Sequence, residues 1–361
     1  MNYFFKNISD LKKHIGGGAN MSVEIESISP SIRDAADMYI RPWLGDTLMQ
    51  ELEAAFFADV FSIEQSNLIE YMNRALAKFA AYKYSKIAAV QVSETGILRG
   101  ENESFKTAFR YQEDSYRAEM IDSAYEALES LLKFLSENRA KYPNWINSEG
   151  QTKHDNSFLR YTSELRANYS SYVGRQTYET IRPIIEDVQC FAIESTIPAA
   201  LFDRLKTAYL ENTGTTKEKA AIAIIQRIIA NFSIEEALLR HWVYVSGNRI
   251  LHKESAGDQA AHNTKAASNA QVDTKFRQHD ITANRYISKL TNYIKSNAAD
   301  FSLAFCQADG GTNQDADAWC TASVAESTQK DCCARETCRD SCCNSGCNCS
   351  NHSPKNAIIR F

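Results

Sequence analysis

The chain has 361 residues, 44% of them hydrophobic and 24% charged, with a net charge of −5. This suits a globular protein of two or three domains, and it excludes the clustered Lys and Arg that general nucleic-acid binding requires. The opening MNYFFKNISDLKKH lacks an apolar core of signal-peptide length, and the longest apolar run, AAIAIIQRIIA (220–230), is too short to span a bilayer, so the sequence reads as a protein made in a cytoplasm with no membrane partner.

The first helix ends at three glycines, 16–18, where glycine serves as a C-cap. Ser29 and Pro30 predict the next start, a capping hydroxyl followed by proline at the first helical position. Ile32, Ala36, Tyr39 and Ile40 then share a face, and Pro42 and Gly45 close the helix. Asp46 can cap a helix that turns Leu48, Leu52 and Ala55 inward. A longer helix is expected from about Glu64 to Ala89, with Leu68, Met72, Ala75, Phe79 and Tyr82 on its apolar stripe. AVQVSETGILRG alternates and turns at Thr95-Gly96, as a short β-hairpin does. Residues 103–138 contain neither Pro nor Gly and read as one helix.

This order then repeats. Residues 27–52 align without a gap on 180–205, and the same register sets Arg74 on Arg227, Phe79 on Phe232 and VSETGIL (92–98) on VSGNRIL (245–251). FFKNISDLKKHI (4–15) matches FLRYTSELRANY (158–169) after a one-residue shift, and SLLKFLSENRAKY (130–142) matches KLTNYIKSNAADF (289–301). The fold class expected is therefore mainly α: two tandem copies of a helical module, each with a short hairpin, plus a Cys-rich tail. The domains are 1–144 (copy one), 145–156 (a polar linker), 157–303 (copy two) and 304–361 (the tail).

Catalytic signatures are missing. The sequence has no phosphate-binding loop, no dinucleotide-binding glycine pattern, no H-E-x-x-H and no G-x-S-x-G. Its seven histidines form no i, i+3 or i, i+4 pair, and His241-Trp242 reads as a surface histidine beside a core tryptophan. Carboxylate pairs such as Glu235-Glu236 read as solvated faces. The chain is expected not to be an enzyme.

Cysteine use is lopsided. Cys190 stands alone in the first 300 residues and reads as a small core residue. Cys332, Cys333, Cys338, Cys342, Cys343, Cys347 and Cys349 form a CC-x4-C-x3-CC-x3-C-x-C run. Thiolates this dense can wrap zinc, and the spacing is closer to metallothionein than to a zinc finger. Three states stay open for this tail: metal-bound, disulfide-linked or disordered. No cofactor is required by anything else in the sequence.

Two stretches, ISPSIRDAADMYIRPWLGDTLMQEL and GILRGENESFKTAFRYQEDSYRAEMIDSAYEALESLLKFLSENRAKYPNW (96–145), resemble an uncharacterised family from virion morphogenesis clusters of Bacteroidetes phages and prophages; TYETIRPIIEDV (177–188) resembles its second half. That family is similar in organisation to the head-to-tail adaptors, or connectors, of tailed phages. The resemblance implies a virion structural protein located at the neck, assembled in the bacterial host cytoplasm. Its implied partners are portal and tail or neck proteins and further copies of itself in a ring, with no sequence-specific nucleic acid. The tail is no hallmark of the family. A second reading makes the chain a helical metal-binding or redox-responsive protein acting through that tail.

Overall fold

The computed structural model describes residues 3–15, 23–88, 91–93, 96–98, 110–169, 173–246, 249–252, 269–301, 303–305 and 319–321. Copy one runs α1 (Ile8–Ile15), α2 (Ile25–Ala35), a wide π-helical turn (Ala36–Ile40), α3 (Arg41–Leu44), α4 (Asp46–Ala58), α5 (Ile63–Ile87), the hairpin β1 (Gln91–Ser93) with β2 (Gly96–Leu98), and α6 (Arg110–Glu137). Two short helices follow, α7 (Glu149–Asp155) and α8 (Thr162–Asn168). Copy two then gives α9 (Arg175–Val188), a second π turn (Gln189–Glu194), α10 (Ala199–Glu211), α11 (Thr216–Trp242), the hairpin β3 (Val243–Ser246) with β4 (Arg249–His252), and α12 (Asn269–Ser296). The fold is mainly α, two tandem copies of one helical module with a hairpin in each.

The copies agree to the level of caps. Asp59 and Asn212 end α4 and α10 in the left-handed region at φ 55° and 56°, a position Asp and Asn tolerate through their short polar side chains. Ser62 and Gln65 form a capping box at α5: Gln65 N donates to Ser62 Oγ at 3.1 Å, and Ser62 N donates to Gln65 Oε1 at 2.9 Å. Thr215 and Glu218 repeat it at α11, with distances of 3.3 and 2.8 Å.

The π turns also recur at the same place, and the buried pattern explains them. Ile28, Ile32, Ala36, Ile40 and Leu44 are buried at a strict interval of four; so are Ile181, Ile185, Gln189, Ile193 and Ile197. A four-residue interval drifts by about 40° per step around an α-helix of 3.6 residues per turn. One wider turn absorbs that drift and keeps the whole row on the core.

Several expectations are corrected. Ser29 and Pro30 lie inside α2, whose N-cap is Glu24; Pro183 lies likewise inside α9. Pro42 sits in the first turn of α3, where a missing N–H is harmless, so the chain stays helical to Leu44 and breaks only at Gly45, φ 78°. Asp46 is the first residue of α4, and Gly45 holds the cap position. Cys190 is half-buried rather than a core residue. The sequence also gave no warning of a third strand pair, β5 (Leu303–Phe305) with β6 (Trp319–Thr321).

The largest correction concerns residues 145–156, expected as a linker. They fold onto copy one. Trp145 is fully buried and donates Nε1–H to the Trp43 carbonyl at 2.9 Å. Gly150 lies so close that a Cβ there would fall 2.0 Å from the same oxygen. The described residues divide into two compact units at Arg182/Pro183, within α9, so the first turns of copy two belong to the first unit.

In the first unit the core is built on α5 and α6, which run antiparallel. Tyr71 stacks on Phe134 at 4.3 Å, and Lys78 Nζ reaches the Ser123 carbonyl at 3.5 Å. Leu68, Met72, Ala75 and Phe79 of the expected stripe are all fully buried. In the second unit α11 and α12 pair the same way, with Arg227 over the Tyr286 ring and the Tyr293 hydroxyl on the Lys217 carbonyl.

Candidate functional site

The densest buried polar chemistry of the first unit holds residues 139–182 in place. Trp43 carries three cations around its ring: Lys153 Nζ at 4.1 Å, Arg175 at 5.4 Å and Arg182 at 5.5 Å from the centroid. Arg175, at the start of α9, is buried and pairs with Glu179 at 2.7 Å and Glu129 at 3.6 Å, while its Nη1 donates to the Arg160 carbonyl at 3.1 Å. Glu129 in turn accepts from the Thr162 backbone N–H at 3.0 Å and hydroxyl at 2.8 Å. The Tyr178 hydroxyl donates to the Leu159 carbonyl.

Beside it lies a histidine–aspartate pair. His154 Nδ1 is 2.9 Å from Asp155 Oδ1. Burial lowers the His154 pKa and outweighs the pull of Asp155, so the ring is neutral at neutral pH. Burial alone would raise Asp155. The hydrogen bond from His154, the Arg139 guanidinium and the Gln151 amide at 2.9 Å reverse this and take its carboxyl down to about 2. The imidazole Nε2 has no hydrogen-bond partner among the described residues, and both side chains of the pair are buried. The arrangement is a lock: charges inside a fold, each tied by several partners.

The accessible chemistry lies elsewhere on copy one. A groove of about 830 Å³ has an apolar floor of Phe4, Phe56, Phe61 and Ile69. Asn73 closes its base, donating Nδ2–H to the Phe4 carbonyl at 3.3 Å, and its buried Oδ1 has no partner among the described residues. The rim charges answer one another: Lys6 pairs with Asp59, Lys13 with Asp10 at 3.0 Å, and Arg74 with Glu70 at 3.0 Å.

Next to the groove, the turn from α4 to α5 exposes a run of apolar side chains: Phe57 is 48% exposed, Val60 71% and Ile63 77%. Copy two builds the same turn with the same left-handed cap, and its equivalent residues are Leu210, Thr213 and Thr216. The fold therefore does not require apolar residues at the positions of Val60 and Ile63. Large exposed apolar groups that a fold does not need mark a contact surface.

The sequence places this chain. It belongs to a family of unknown function (DUF6712). The family's model matches twice, at residues 40–155 and 193–314, and both matches begin at equivalent positions, Ile40 and Ile193. No curated protein and no solved structure matches the chain. Both DUF6712 regions cover the helical copies, and the second ends before the cysteine run.

The seven cysteines expected as metal ligands, Cys332, Cys333, Cys338, Cys342, Cys343, Cys347 and Cys349, lie outside the described residues. Among the described residues no group of three or more His, Cys, Asp or Glu side chains could hold a metal ion, and no helix is long and apolar enough to cross a membrane. Sequence reading missed the lock because its charges make residues 145–156 look like a linker. The exposed turn was open to discovery by setting FFADVFSI (56–63) against YLENTGTT (209–216).

Proposed function

We propose that this protein is a virion structural component, a head-to-tail connector that forms a ring between portal and tail and acts through protein contacts alone. The observation that carries the reading is the turn Phe57–Val60–Ile63, exposed and apolar throughout in copy one, where copy two has threonine at the equivalents of Val60 and Ile63. A duplicated module whose equivalent turns differ, apolar in one copy and threonine-bearing in the other, presents two different faces. Cyclic rings need heterologous contacts of that kind, in which one face of a subunit meets another face of the next. The sequence resemblance to phage morphogenesis proteins points the same way. The hairpins β1–β2 and β3–β4 are two-stranded, so each offers edge strands to a neighbour. The reading assigns the protein no catalysis, no cofactor and no sequence-specific nucleic acid.

Immunogold electron microscopy of purified particles, with antibody raised against residues 1–303, tests it. Label at the neck between capsid and tail is expected. Intact particles without label, and without this chain on a denaturing gel, would end the virion reading and turn attention to zinc binding by the cysteine run. Deleting residues 304–361 separates the two further: particle assembly survives the deletion if the helical copies carry the function.

A further inference from the structure

Copy two holds a carboxylate where copy one holds a ring. Glu235 on α11 is equivalent to Tyr82 on α5, and Asp280 on α12 is equivalent to Ile121 on α6. In copy one these positions are apolar: Ile121 is buried, and the Tyr82 ring is capped by Lys86 Nζ at 4.2 Å. In copy two Glu235 is 8% exposed, and its Oε2 has no hydrogen-bond partner among the described residues. The charges that reach it are Asp280 across the helix pair and Glu236 on its own helix, both acidic. The nearby cation does not serve it. Arg240 is engaged by Glu236 at 2.7 Å and by Asp187 of α9 at 2.8 Å.

An ionised carboxylate in that position would be desolvated, unpaired and opposite a second negative charge, which is the costliest arrangement for a buried acid. The neutral acid avoids all three. We propose that Glu235 is a proton-operated clasp: protonated, it lets α11 close against α12, and loss of the proton to solvent forces the two helices apart at the end where α11 runs into β3. The proposal is independent of the connector reading, because it concerns the helix pair alone. Desolvation, Asp280 and Glu236, in that order, push the Glu235 carboxyl up to about 8, which sets the opening near the upper edge of physiological pH.

The sign follows. In the unfolded chain Glu235 ionises near the usual value of about 4.5, so the folded state holds the proton over a range in which the open state has lost it. Closure is fully favoured below that range and is lost as pH rises through 8.

Hydrogen exchange of peptides from 228–242 in the full-length protein reads this directly, after correction for the intrinsic pH dependence of exchange. Between about pH 6 and pH 9 the wild-type opening constant is expected to rise by about tenfold or more, and Glu235→Gln is expected to hold it flat. A flat wild-type profile, or a Glu235→Gln protein with the same rise, overturns the proposal. Should Glu235→Gln fail to fold, Asp280→Asn decides. Removing the facing charge shifts the midpoint of the rise to lower pH by about half a unit or more if Glu235 is the group, leaving it in place if it is not.

Discussion

At the scale of single residues the first unit depends on arginine inside the fold. Arg175 is surrounded by Glu179, Glu129, the Arg160 carbonyl and the rings of Trp43 and Tyr178. Its planar fork serves several acceptors at once while its faces lie on aromatic rings, a combination lysine cannot reproduce. Replacing Arg175 with Ala removes the buried cation shared by Glu179 and Glu129, which among the described residues keep only Arg182 and Thr162, and removing one partner of a buried ion pair costs about 3–5 kcal/mol. Urea unfolding should therefore show Arg175→Ala destabilised by about that amount, with Arg175→Lys recovering only part. A loss under about 1 kcal/mol would mean that water replaces the lock at no cost. These same residues show why sequence reading stopped short here. Hydropathy sees Lys153, His154, Asp155 and Arg160 as solvent-loving, and only three-dimensional pairing reveals that His154, Asp155 and Arg160 are buried. The tryptophan was the available clue, because a Trp inside a polar stretch is a poor linker residue and a good anchor.

At the scale of elements the two copies act as controls for each other. The long helices, the hairpins and the duplication were legible in sequence because apolar periodicity and turn residues are local signals. Helix starts were less so: Ser29-Pro30 looks like a beginning, yet Ile25 and Ile28 already pack on the core and draw the helix back to Ile25. The π turn was written in the four-residue interval from Ile28 to Leu44, a pattern that a regular α-helix does not keep on one face over four intervals. That account makes a prediction. Inserting one Ala after Met38, an exposed residue of the π turn, adds a residue that the turn has no room to absorb and rotates Ile40 and Leu44 by about 100° relative to Ile28 and Ile32. Each displaced side chain then forfeits burial worth about 2–5 kcal/mol as a large-to-small core change would, so thermal unfolding should show the insertion strongly destabilised or unfolded. The substitution Met38→Ala, which keeps the register, should change stability by about 0.5 kcal/mol or less. Similar behaviour of the two variants would remove the interval as the cause of the π turn.

At the scale of the whole molecule the two copies have diverged in the side chains they expose and in the titratable groups they bury. Carrying copy two's turn residues into copy one, as Val60→Thr with Ile63→Thr, alters only exposed positions at a cap both copies share, so the unfolding midpoint should move by about 0.5 kcal/mol or less. Self-association should fall sharply, as sedimentation velocity would show; unchanged association would remove this turn from the assembly surface. The proton response differs in sign between the units. His154 is buried with a lowered pKa, so the folded first unit binds fewer protons than its unfolded chain, and it loses stability as pH falls below about 6.5, the free value for histidine. Asp155, taken down to about 2, adds a second loss at more acidic pH. Glu235, raised to about 8, gives the second unit the opposite slope: its stability declines as pH rises from the free glutamate range through 8. Neither slope is visible in net charge, because each comes from a few desolvated groups: His154 with His14 in the first unit, Glu235 in the second. Between about pH 5 and pH 8, intrinsic-rate-corrected hydrogen exchange should thus show α6 and α7 gaining protection while α11 loses it. Exchange that moves in the same direction in both units would mean that the pH response comes from overall charge rather than from His154 and Glu235. His154→Asn should reduce the first slope, leaving the smaller part due to His14, and keep the second intact, since Glu235 belongs to the other compact unit.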